Sequence, residues 1–166
     1  DRLLETALEA EGVVPDIISN ENDLLGAIPF THSKCYLIKL HGDYLDTRIR
    51  NTGEELEHYP PEINQLLDRI LDEFGLIVAG WSGAWDTALR DALSRCKTHR
   101  YATYWLAYQG QLTTEARQLI QQRRAEIINI KSADEFFNGL EEKVLSLDEI
   151  KQPHPLSTAV AVTTVK

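Results

Sequence analysis

The chain has 166 residues, 43% of them hydrophobic, which is enough for one domain with a sizeable core and too apolar for a disordered segment. Its net charge of −9, from 17 basic and 26 acidic residues, argues against a nucleic-acid-binding module, because phosphate recognition needs a basic face. No apolar run approaches the roughly 20 residues of a membrane span, and the opening DRLLETALEAEG is an amphipathic helix pattern rather than a signal peptide.

Leu3, Leu4, Ala7 and Leu8 predict a first helix that ends at Glu11-Gly12. Val13-Val14-Pro15-Asp16-Ile17-Ile18 follows as a short strand whose proline points to a sheet edge. Residues 20–28 read as a helical turn capped by Asn20 or Asn22. Cys35 to Leu40 is a strand, and the polar run 43–58 is a long surface loop. Pro61 opens a helix in which Ile63, Leu66, Leu67, Ile70, Leu71 and Phe74 recur at helical spacing, closed by Gly75. Leu76-Ile77-Val78-Ala79-Gly80 is a continuous apolar run, the pattern of a strand buried on both faces.

Asp86 is placed to cap a helix running through Leu89, Ala92, Leu93 and Cys96. Tyr101 to Ala107 is the next strand, and Thr113 or Thr114 opens a helix carrying Ala116, Leu119 and Ile120. Glu126 to Ile130 is a further strand. Ser132, with Glu135 three residues on, forms a capping box for a last helix whose apolar face is Phe136, Phe137, Leu140 and Val144. Strands that alternate with helices of about ten or more residues mean parallel βαβ units. The predicted fold class is therefore α/β, a doubly wound and mostly parallel sheet with helices on both faces. From Gln152-Pro153-His154-Pro155 onward the composition shifts, with no carboxylate after Glu149, so residues 148–166 are expected to be a linker or the start of a following segment.

Two cysteines, Cys35 and Cys96, stand far apart without a CxxC pair, which excludes a structural zinc site built on cysteine pairs. They are expected to be reduced core thiols of an intracellular, cytoplasmic protein. The chain has no methionine and begins at Asp1 in the middle of a helix pattern, so it is expected to be a fragment of a longer chain.

In open parallel sheets, ligands bind beyond the carboxyl ends of the strands. Two strand ends here carry polar residues beside glycine: Leu40-His41-Gly42-Asp43 and Gly80-Trp81-Ser82-Gly83, the latter leading to Asp86. Glycine at such ends lets a ligand approach the backbone. Ser82 and the N–H groups at the start of the Asp86 helix can hold a phosphate or a ribose hydroxyl. His41 can take a proton from a sugar hydroxyl or a water. Against this stand plainer readings: a satisfied polar histidine, an ordinary Ser82-Gly83 turn, an Asp86 that only caps a helix, and Trp81 and Trp85 as core or lid packing. Arg48 and Arg50 can grip a pyrophosphate or line a solvated loop. His32, His58, His99 and His154 have no ligand-type spacing and receive no role.

Taken in this order, LIKLHGD and IVAGWSGAWDTALRDAL resemble the sirtuin-like (silent information regulator type) domain, in its bacterial and phage-defence branch. The opening DRLLE resembles the end of that family's Thr-x-Asn-Phe-Asp-Arg-Leu-Leu-Glu stretch, and YWLAYQG, ARQLIQQRRAEIINI and SADEFFNGL resemble its closing half. The resemblance covers about residues 1–147. It implies a Rossmann-like sheet lacking its N-terminal strands, and an NAD-binding domain of which this chain is the C-terminal part. By the resemblance His41, followed by Gly42, is the catalytic base, and Gly80, Trp81 and Ser82 contact the ribose and phosphates of NAD; Asp43 and Asp86, read from their place at the two strand ends, are set beside them as cofactor-binding candidates. Asp43 either orients His41 or caps the loop, and Asp1 either stabilises the helix start or lies at the nicotinamide pocket.

The family's Gly-Ala-Gly-x-Ser loop and Thr-x-Asn residues are absent from the chain, which implies poor NAD binding and little activity by this chain alone. The four zinc cysteines of the protein-deacylating members are also absent, so no zinc is expected and simple NAD cleavage is favoured. The expected function is NAD hydrolysis in bacterial antiphage defence, with release of nicotinamide. The alternatives are a sensor of NAD or an ADP-ribose derivative without catalysis, an NAD-dependent protein deacylase, and a domain kept for its fold or assembly. Expected partners are NAD and other domains of the parent chain, with a homo-oligomer open and no direct nucleic acid or membrane partner.

Overall fold

Each helix predicted from a cap and an apolar stripe is present in the structure, a computed structural model that describes residues 2–41 and 58–151. The described elements run α1 (Leu3–Ala10), β1 (Asp16–Ile18), α2 (Glu21–Gly26), β2 (Tyr36–Ile38), α3 (Pro61–Glu73), β3 (Leu76–Val78), α4 (Thr87–Arg95), β4 (Thr103–Tyr108), α5 (Thr114–Arg123), β5 (Glu126–Ile130) and α6 (Ala133–Lys151). Side-chain caps set several starts. Asn20 accepts from the N–H groups of Asn22 and Asp23, Thr113 from Ala116, and Ser132 from Glu135. The loop expected over 43–58 lies, but for His58, outside the described residues, as does everything after Lys151.

Every described strand pair is parallel. β1 pairs with β2 in the register Asp16↔Tyr36 to Ile18↔Ile38, and β3, β4 and β5 form a second sheet in that order. The fold is thus α/β and Rossmann-like, as expected, with its described strands grouped into a two-stranded and a three-stranded sheet. Val78 and Trp105 share one face of the larger sheet with Ala88, Ala92 and Leu93 of α4 and Ala116, Leu119 and Ile120 of α5, and Ile63, Leu67 and Leu71 of α3 complete that core. Trp105 pairs with Ile127, so Ile128 and Ile130 point to the other face, where they line a cleft with Phe136 and Leu140 of α6. Helices therefore cover both faces.

Four expectations change. The β3 run is not buried on both faces: Val78 is buried, but Ile77 is 41% exposed because the described helix on its side of the sheet lies over β5. The strand also stops at Val78, since Gly80 turns to φ +71. The apolar face of α6 is not a core face, for no α6 residue is buried and Phe137 and Val144 stand 44% and 48% exposed. Gly75 does not close α3 in a left-handed turn. Phe74 ends the helix in an extended conformation, and a Cβ on Gly75 would lie 3.3 Å from the Ala102 carbonyl, so the glycine serves the close approach of chain to chain. Cys35 and Cys96 are both free thiols, but partly rather than fully buried. Among the described residues no helix is long and apolar enough to cross a membrane.

Candidate functional site

His41 follows β2 by three residues, and its position is fixed from just upstream. Lys39 donates its N–H to the Ile18 carbonyl at 2.8 Å, which extends the β1–β2 pairing past the last strand residue. The Lys39 ammonium forms an ion pair with Glu5 of α1, whose side chain is 3% exposed. A carboxylate so deep in the protein has to be paired, because an uncompensated buried charge is costly. Helix α1 is thereby tied to the strand that delivers His41.

The second strand end is the loop from Gly80 to Asp86. It turns left-handed three times, at Gly80 (φ 71), Gly83 (φ 72) and Asp86 (φ 61). Gly83 has a second reason to be glycine: a Cβ there would lie 3.2 Å from the Ala116 backbone nitrogen at the start of α5. Thr113, which caps α5, donates its hydroxyl to the Ser82 carbonyl, so α5 and the loop hold one another. The Trp81 ring stacks on Trp105 with centroids 5.8 Å apart, and its Nε1 donates to the Trp85 carbonyl at 3.2 Å. Trp81 is thus packed on β4, whereas Trp85 is 79% exposed and not part of the core. The Ser82 Oγ accepts from the Ala84 N–H at 3.2 Å and keeps its own proton to donate.

Asp86 draws the two strand ends together. Its Oδ1 accepts the Leu89 N–H at 2.9 Å, which caps α4 as the sequence predicted. Its Oδ2 lies 3.0 Å from the Nε2 of His41 and also accepts the Tyr59 hydroxyl. The Asp86 side chain is 7% exposed and that of His41 49%, so a buried carboxylate holds an imidazole whose remaining edge meets solvent. Tyr59 is itself buried, and Asn64 of α3 donates to its carbonyl at 2.8 Å. Because the Leu89 N–H is taken by the Asp86 carboxylate, the start of α4 is already capped by an anion of its own.

A cavity of about 520 Å³ opens beyond the carboxyl ends of β3, β4 and β5. Its walls include Gly80, Trp81, Ser82, Trp105, Tyr108 and Thr113. Its size and its mixture of aromatic walls with a few polar groups match a small-molecule site, and its place is the one parallel sheets use. His41 and Asp86 are not among these walls; the Gly80–Asp86 loop connects the cavity to them. Asp1, Gly42, Asp43, Arg48 and Arg50 lie outside the described residues. Among the described residues, no group of three or more His, Cys, Asp or Glu side chains is placed to hold a metal.

Two participants were not read from the sequence. Tyr59 sits at the end of a polar run, and its one signal is that it directly precedes Pro60-Pro61, where a helix start is fixed. Glu5 falls in an ordinary amphipathic pattern, which does not foretell a partner on a strand. With this geometry in place, a family model described as SIR2-like domain matches residues 1–131. No curated protein matches the chain.

Proposed function

The chain belongs to the SIR2-like domain family, whose activity is NAD-related, and from that premise we propose that it is part of an NAD-cleaving domain. In this reading the domain occupies residues 1–147, with α6 running on to Lys151, and residues 148–166 are a linker or the start of a following segment. The activity is NAD glycohydrolysis with release of nicotinamide. The likeness of LIKLHGD and IVAGWSGAWDTALRDAL to the phage-defence branch supports a role in bacterial antiphage defence. One observation carries the proposal: His41, at the carboxyl end of a parallel strand, is half-exposed and held 3.0 Å from a carboxylate on the loop whose other end walls the 520 Å³ cavity.

NAD is the substrate. The bond between the nicotinamide nitrogen and ribose C1′ breaks, its electron pair going to the nitrogen, which neutralises the pyridinium and leaves an oxocarbenium-like ribose. Water adds to C1′, and His41 takes the proton from that water or from a ribose hydroxyl. Ser82 donates to a ribose or phosphate oxygen, and Gly80 and Gly42 let the backbone approach it. Trp81 supplies an aromatic wall. Asp43 either orients His41 or caps its loop, and Asp1 either steadies the start of α1 or borders the nicotinamide pocket.

A second reading is supported by the cavity itself, whose walls do not include His41: NAD or an ADP-ribose derivative is bound and sensed without turnover. The full chain that carries this domain, incubated with NAD, separates the two. Nicotinamide and ADP-ribose appearing together, with a drop of about a hundredfold or more in His41→Ala, support hydrolysis. Saturable binding of intact NAD without products supports the sensor.

A further inference from the structure

We propose that Asp86 is the positioning residue for His41, holding Nε2–H so that Nδ1 is the basic nitrogen presented to the ligand, with Tyr59 fixing the carboxylate from its other side. This rests on the reading of His41 as a base and adds which nitrogen acts and what orients it.

Three observations support it. A helix cap uses one carboxylate oxygen, and Asp86 spends only Oδ1 on Leu89. The other oxygen has two partners from distant parts of the chain, His41 Nε2 at 3.0 Å and the Tyr59 hydroxyl. Second, capping residues ordinarily take an extended backbone, whereas Asp86 sits at φ 61 and ψ 77, a left-handed conformation that aspartate tolerates better than most residues but that is not the usual one for a cap. Such departures gather where a side chain has to be aimed. Third, Tyr59 is 5% exposed and its ring centroid lies 6.5 Å from that of His41, so the tyrosine both donates to the carboxylate and borders the imidazole.

The chemistry follows from which groups can donate. Tyr59 gives the Oδ2 atom one proton, and an ionised carboxylate has only acceptors, so the atom of His41 facing it has to be an N–H. In a neutral imidazole with its proton on Nε2, the lone pair is on Nδ1. Asp86 keeps that tautomer and fixes the ring plane; it does not itself give up or take a proton. This is the relation of a base to an orienting carboxylate, recognised by geometry and role.

Asp86→Asn tests it in the full chain, since asparagine caps helices about as well as aspartate and preserves the shape. Its carboxamide can turn an NH2 group toward His41, which favours the Nδ1–H tautomer. We expect kcat for nicotinamide release to fall about a hundredfold or more with KM within about threefold, as for a group that acts on the transition state alone. Tyr59→Phe should lower kcat about threefold to tenfold, and it is the second variant should Asp86→Asn fold poorly. Nitrogen-15 spectra of the imidazole should show Nε2–H in the wild type and a shift toward Nδ1–H in Asp86→Asn. An unchanged kcat in Asp86→Asn, or a wild-type His41 protonated on Nδ1, overturns the proposal. If the wild type releases no nicotinamide, the base reading fails by itself; the spectra still judge the positioning, with Nε2–H in the wild type supporting it and Nδ1–H refuting it.

Discussion

At the scale of single residues, the Gly80–Asp86 loop shows how backbone requirements aim side chains. Gly83 combines φ 72 with a 3.2 Å approach to the Ala116 nitrogen, so a methyl group there meets both a conformational and a steric penalty. Gly83→Ala should therefore lose about 2 kcal/mol or more in urea unfolding, where a substitution at an unconstrained exposed glycine would change little. The glycines and Asp86 were legible in the sequence as a strand end and a cap. What was not legible was that Asp86 uses both carboxylate oxygens at once, because its partners His41 and Tyr59 arrive from elements with no fixed sequence distance to it.

At the scale of elements, α1 and α2 each lock onto the small parallel sheet through a carboxylate. Glu5 of α1 meets Lys39 beyond β2, and Glu5→Gln removes a buried charge facing that ammonium. A loss of about 1–3 kcal/mol is expected, readable as a lowered urea midpoint, and the ordering of His41 should suffer with it. In α2, Asp23 accepts from the Ser19 N–H at 2.9 Å and the Ser19 hydroxyl at 2.7 Å. Burial pushes the Asp23 carboxyl up, but these hydrogen bonds outweigh it and hold it below its ordinary value of 3.8. A depressed carboxyl contributes stability that is fully present above the ordinary value and is lost as pH falls through the folded one. Hydrogen-exchange protection of the Ser19 amide should accordingly fade below about pH 4, and Asp23→Asn should remove that dependence.

Sequence patterns marked these elements well where a local rule governs them. β5 has the predicted bounds, Glu126–Ile130, and Asn20, Asp86, Thr113 and Ser132 all cap the helices assigned to them. They failed where burial depends on what lies opposite. Ile77 and the apolar side chains of α6 have the periodicity of core residues, yet neither meets enough of the described chain to be covered.

At the scale of the whole molecule, long-range ties converge on the ends of the helices. Arg123, 6% exposed at the end of α5, donates to the carbonyls of Cys96 at 2.9 Å and Thr98 at 3.2 Å, and to that of Leu71 at 3.4 Å. It binds the last turns of α3, α4 and α5 into one layer, with a guanidinium where the helix dipoles favour a cation. The β3–α4 loop is held instead at the other end of α5, where Thr113 donates to the Ser82 carbonyl and Gly83 lies against Ala116. The α/β class and the strand-end location of the candidate site follow from alternation and from parallel-sheet topology, both of which are written in local sequence. The Tyr59–Asp86–His41 contact is a product of tertiary folding and is visible only in the structure.

The proposed role of His41 is that of the base in an NAD-cleaving site. Nicotinamide release from NAD by the full chain, wild type beside His41→Ala with both shown to be folded, addresses it most directly. Turnover is expected in the wild type, with a fall of about a hundredfold or more in the variant. Equal turnover in the two proteins would contradict it.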